Sequence, residues 1–117
     1  MAFGAGLAAY DRGDFFEAHE LLEPAWMGTA DLAERALYQG LIKLAAAYVH
    51  EVRGNPAGVA KNLRGARDRL ADAVEAGAVA GIDVRDLVAQ VDRRLSATAP
   101  PAPDDPPVIR APSARRA

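Results

Sequence analysis

The chain predicts an all-α fold, a compact bundle of about five helices arranged as antiparallel pairs. Three observations carry this expectation. Apolar residues recur at three- and four-residue spacing along most of the chain, and no alternating pattern lasts more than a few positions. Half the residues are hydrophobic, but many of these are alanines, which favour helix while contributing little burial. Helix breakers fall at Gly13, Gly28, Gly54 and from Gly77 to Gly81, and they divide the chain into segments of helical length.

Each element follows from its residues. Phe3, Leu7 and Tyr10 form a short first stripe that Gly13 ends. Asp14, with Glu17 three residues later, reads as a capping-box start to the second helix. Pro24 lies inside that helix, where its ring opposes the carbonyl of Glu20 and predicts a kink or an early final turn. The third helix starts near Thr29–Asp31 and ends near Arg53. From Leu41 to Val49 it is apolar almost all round, which marks the central helix of the bundle. Gly54 stops it, and Asn55-Pro56 restarts the chain as N-cap and first helical residue.

The fourth helix carries Val59, Leu63, Ala66, Leu70 and Val74 on one face, with Lys61, Arg64, Asp68 and Asp72 opposite. Asp83 caps a fifth helix with Val84, Leu87, Val88, Val91 and Leu95 facing inward. The bundle therefore spans residues 1–97. Residues 98–117 form a tail rich in proline, alanine and arginine that offers nothing to bury, so it is expected to be disordered or extended. A passive tail is favoured over a peptide ligand or weak anion contact at its mildly basic end, Arg110, Arg115 and Arg116.

Composition narrows the function classes. At 117 residues the chain supports one domain. Its formal charge of −2 gives no electrostatic pull toward nucleic acid or an anionic membrane. With no cysteine, disulfides, zinc–thiolate sites and thiol catalysis are excluded. The N-terminus has neither the basic start nor the apolar core of a signal peptide, and no apolar run reaches the roughly 18 residues of a membrane span. A cytoplasmic setting is expected.

Four elements occur in a distinctive order: Gly13-Asp-Phe-Phe-Glu-Ala-His-Glu-Leu-Leu-Glu-Pro-Ala-Trp26, Tyr38-Gln-Gly-Leu-Ile-Lys-Leu-Ala-Ala-Ala-Tyr-Val-His50, Gly54-Asn-Pro-Ala-Gly58, and a following helix with Leu63, Ala66 and Leu70. Together they resemble the DUF309 family of small all-helical bacterial and archaeal proteins, over residues 3 to 95. The resemblance implies a compact helical bundle and carries no established activity. The family's pattern normally has glutamine where this chain has Lys43, so here a cation enters that stripe. The corner from Gly13 to Ala18 is also weakly similar to a tetratricopeptide turn, although the forty-residue step to the next such corner argues against a repeat array.

The polar residues of the second and third helices are the candidate site. His19, Glu23 and Trp26 stand at i, i+4 and i+7, alongside Phe15 and Leu22, which reads as a buried face with Glu20 at its edge. Gln39, Lys43, Ala46 and His50 form a second stripe on the third helix. Packing the two stripes together would let Glu23 accept from Lys43 or His50 and let His19 bond Gln39 or Glu51.

Three readings are open for that seam. The favoured one is a buried hydrogen-bond network that fixes helix register. The second is a small-molecule or peptide groove walled by Trp26 and Tyr48. The third is a metal site of His19, Glu23, His50 and Glu51. Against the third, His-Glu-x-x-Glu lacks the second histidine of zinc proteases, and the Glu-x-x-His of di-metal bundles is absent. Ser96 and Ser113 are the only serines, neither suited to a nucleophile, and no glycine-rich phosphate loop is present. The functional expectation is a non-catalytic binding or assembly protein with no cofactor, forming a homo-oligomer or engaging a protein partner. The alternative is a metal-dependent enzyme or small-ligand binder using His19, Glu23 and His50.

Overall fold

The computed structural model describes residues 2–76, 78–96 and 106–111. The fold is all-α: α1 (Ala2–Asp11), α2 (Phe15–Met27), α3 (Leu32–Val52), α4 (Pro56–Ala71) and α5 (Val84–Ser96). A 3₁₀ turn (Val74–Ala76) and a hairpin of two-residue strands, β1 (Ala78–Val79) and β2 (Ile82–Asp83), bridge α4 to α5. Val74, assigned by its spacing to the fourth helix, therefore lies in the turn beyond it. Ala80 and Gly81 both take positive φ, 52° and 79°, as a tight two-residue hairpin loop requires. Among the described residues no helix is long and apolar enough to cross a membrane.

Helices pack mainly on their neighbours in sequence, with α3 between α2 and α4. The pairs run antiparallel. Along α3 and α4, Gly40 meets Leu70, Lys43 meets Gly65, and His50 meets Gly58. An aromatic relay ties the first three helices together: Tyr10 to Phe15 at 5.4 Å between ring centroids, then Phe15 to Tyr48 at 5.6 Å. Leu22, Leu37, Leu41, Leu44, Tyr48, Leu63, Leu70, Val84, Leu87 and Val91 form the fully buried core.

Helix starts follow the sequence with one exception. Asp31 accepts from the Glu34 amide at 2.9 Å, Asn55 from Gly58 at 3.3 Å and Asp83 from Asp86 at 3.1 Å, each meeting a helix-end N–H that would otherwise lack a partner. Gly54 takes φ 71°, the left-handed conformation that closes a helix cheaply only as glycine. Asp14 is the exception, since it makes no capping hydrogen bond. Arg12 holds both of the expected capping-box carboxylates instead, Asp14 at 3.4 Å and Glu17 at 3.0 Å. Pro24 does not end α2 early. The helix continues to Met27, and the Gly28 N–H closes on the Pro24 carbonyl at 3.0 Å.

The tail is not passive throughout. Residues 106–111 carry no regular secondary structure but are docked, with Pro107 fully buried and Ile109 packed against the core. The rest of the tail, 97–105 and 112–117, lies outside the described residues.

Candidate functional site

The buried face of α2 is Phe15, Ala18 and Leu22. At the 3.6-residue helical repeat, Glu23 points roughly 100° away from the mean direction of those three, and His19 and Trp26 point roughly 50–70° away. The expected burial of His19 and Glu23 is corrected accordingly. Glu23 is exposed, and the side chains of His19 and Glu20 are 32% and 59% accessible. His19 Nδ1 faces Glu20 Oε2 at 3.6 Å on that open flank. Replacing His19 or Glu23 by alanine should shift folding stability by no more than about 0.5 kcal/mol in urea denaturation, because neither strands a buried partner. A loss of about 2 kcal/mol or more in either variant would reinstate the buried seam.

The polar stripe of α3 faces α4, not α2. The Lys43 stem lies over Gly65, where an added Cβ would stand 2.9 Å from Lys43 Cδ. The His50 ring lies over Gly58 in the same way, and its Nδ1 is 3.1 Å from Asn55 Nδ2. Asn55 Oδ1 is committed to the Gly58 amide, so its Nδ2 donates and His50 Nδ1 accepts. In the neutral ring the proton then sits on Nε2. Gln39 joins a separate open cleft of about 590 Å³ with Leu32, Arg35, Arg69, Asp72 and Glu75.

The seam therefore does not form. His19 pairs with Glu20, His50 with Asn55, and Gln39 opens elsewhere. Among the described residues no group of three or more histidine, aspartate or glutamate side chains, Glu51 included, is placed to hold a metal ion. Trp26 and Tyr48 do not wall a groove either, because Tyr48 is completely buried. Trp26 is partly buried under Arg35, whose guanidinium carbon stands 5.0 Å from the ring centroid. Arg35 Nη1 also donates to the carbonyls of Trp26 at 3.3 Å and Thr29 at 3.0 Å, which ties the end of α2 to α3.

The structure brings together a different set of residues at the α1–α2 corner. Gly13, Asp14, Phe15, Phe16, Val49, Val52 and Arg53 line a cleft of about 290 Å³. Phe16 is 60% exposed and Val52 75%, so large apolar side chains stand on its rim with Asp14 and Arg53 beside them. The signal for Phe16 was its place one residue after Phe15, which turns it out of the buried face of α2. Val52 gave no such signal, since it is a single apolar residue between Glu51 and Arg53 at the end of the third helix.

A family model described as a domain of unknown function, DUF309, matches residues 3–62. The chain belongs to the DUF309 family. No curated protein matches it. The matched segment of this DUF309 protein ends within α4, short of the expected residue 95, and contains the whole Phe16–Val52 cleft. It leaves out α5 and the docked tail. The corner thus lies within the matched segment, whereas the tail contact lies beyond it.

Proposed function

We propose that this DUF309 protein is a non-catalytic binding or assembly protein that offers the Phe16–Val52 corner to a protein partner, a second copy of the chain or another polypeptide. The reading rests on two large apolar side chains, 60% and 75% exposed, on the rim of one cleft. Covering each would be worth about 1.5–3 kcal/mol at full burial, which favours an apolar partner surface. Asp14 and Arg53 supply one charge of each sign at the edge, suited to orienting a protein rather than attracting a polyanion. The formal charge of −2 supports the same choice over nucleic acid or an anionic membrane. A cysteine-free chain of this kind fits the cytoplasm.

Site-specific photocrosslinking in cells tests this reading. A photoreactive phenylalanine analogue at Phe16 or Val52 should give a discrete protein adduct, at twice the chain's mass for self-assembly. The same group at Arg64, on the exposed face of α4, should not. No adduct at either corner position, or equal adducts at all three, would overturn the reading.

A further inference from the structure

Residues 106–111 lie against α1, β2 and α5, and side chains grip their backbone. Gln90 is the only residue with an amide or charged side chain that is buried among those described, 3% exposed. Its Oε1 accepts from the Val108 N–H at 2.8 Å, and its Nε2 donates to the Val108 carbonyl at 2.7 Å. In an extended chain the N–H and C=O of one residue point to the same side, so a single primary amide mimics a neighbouring β-strand. The second Nε2 hydrogen goes to Asp86 Oδ2 at 2.9 Å, which fixes the orientation of the Gln90 amide.

The flanking contacts continue the pattern. Tyr10 Oη donates to the Pro107 carbonyl at 2.7 Å, and the Asp83 N–H donates to the Arg110 carbonyl at 2.8 Å. Burial pushes the Tyr10 hydroxyl far above its ordinary value, so it remains a neutral donor. Pro107 is completely buried and, lacking an N–H, strands no donor there. Arg110 reaches both oxygens of Asp86 at 3.4 Å. Two buried polar side chains, Gln90 and Tyr10, thus direct hydrogen bonds to peptide backbone, while Pro107 is buried and Arg110 meets the Asp86 carboxylate.

We propose that this groove is a peptide-recognition site for an extended Pro-aliphatic-aliphatic-Arg segment of a partner protein, and that the chain's own residues 107–110 occupy it as a built-in competitor. Most hydrogen bonds go to backbone, which supplies affinity for any extended chain, and the Pro107 pocket and Asp86 supply selection. An occupant on the same chain competes at an effective concentration on the order of millimolar, so an outside segment gains access once the tail is drawn off. The site is independent of the Phe16–Val52 corner.

The test uses the full chain with its tail unlatched by Pro107→Asp and Ile109→Asp, which place charges where apolar atoms are buried. A fluorescent, acetylated and amidated peptide of residues 106–111 is titrated by polarisation. It should saturate the unlatched chain and bind the wild-type chain at least tenfold more weakly. A peptide carrying Val108→Pro, which removes the N–H that Gln90 accepts, should bind at least tenfold more weakly, and one carrying Arg110→Glu should also lose affinity. Absence of saturable binding to the unlatched chain, or equal binding of the Val108→Pro peptide, would overturn the proposal. Should the unlatched chain lose its helical circular dichroism, the ¹⁵N-labelled wild-type chain with excess peptide decides the matter. The Val108 amide should then move toward an unbound position, and an unmoved resonance would count against the site. Concentration-dependent dimers that trade tails between copies would assign the groove to self-assembly and overturn the partner reading.

Discussion

Leu44→Ala is expected to lower folding stability by about 2–5 kcal/mol. Leu44 is completely buried on α3, the helix flanked by both α2 and α4, so deleting its branched end opens a cavity with helices on either side. Packed helices relax only partly into such a void, and the lost contacts add to the lost transfer energy. Against a domain stability of about 5–15 kcal/mol this is a large fraction, and the variant should unfold at a much lower urea concentration with an unchanged slope. Leu32→Ala is the control, since Leu32 is 82% exposed and its loss should stay within about 0.5 kcal/mol. Equal shifts for the two would place Leu44 outside the core.

The contrast between these leucines explains how much of the fold was legible. Helix boundaries are written in local chemistry. Asp31, Asn55-Pro56 and Asp83 start helices, Gly54 ends one, and each acts within a turn of its own position. The orientation of a short helix is written only in its apolar arc, and on α2 that arc is wide. Phe15, Leu22 and Trp26 suggest one centre, whereas Phe15, Ala18 and Leu22 are the residues buried. Ala18 is completely buried, yet its small side chain adds little to a hydrophobicity pattern. The visible pattern therefore points too far toward His19 and Glu23, and the expected seam follows from that rotation.

The polar stripe of α3 departs from the expected packing for a related reason. A central helix buries several directions at once, so periodicity shows that a stripe is polar without showing which neighbour it meets. Gly58 and Gly65 decide the matter, because they leave room on α4 for the His50 ring and the Lys43 stem. The docked tail was hidden by a different mechanism. A clamp between a side-chain amide and a backbone has no hydrophobic signature, and nothing in the sequence sets Gln90 apart from the other polar residues of α5. Proline-rich composition predicts extended chain but does not reveal whether a pocket waits for it.

Glycine at the α3–α4 contact yields the other large effect. A Cβ at Gly40 would stand 2.6 Å from Leu70 Cγ, 2.7 Å from its Cδ2 and 3.3 Å from its backbone nitrogen. Leu70 is completely buried, so its side chain must repack against the core or the two helices must move apart. Gly→Ala in a helix interior gains about 1 kcal/mol in propensity, while overpacking costs about 1–3 kcal/mol. The net expectation for Gly40→Ala is a loss of up to about 2 kcal/mol, and Gly40→Val, with more atoms and less propensity gain, should lose about 2–3 kcal/mol or more. Gly4 provides the opposite case in α1, where an added Cβ meets nothing within 4 Å. There the propensity gain stands alone, and Gly4→Ala should stabilise by up to about 1 kcal/mol. The same chemical change should therefore move the urea midpoint in opposite directions at the two sites. A Gly40→Ala chain as stable as Gly4→Ala would mean that α3 and α4 do not approach at this glycine, and the antiparallel register from Gly40–Leu70 to His50–Gly58 would fail with it.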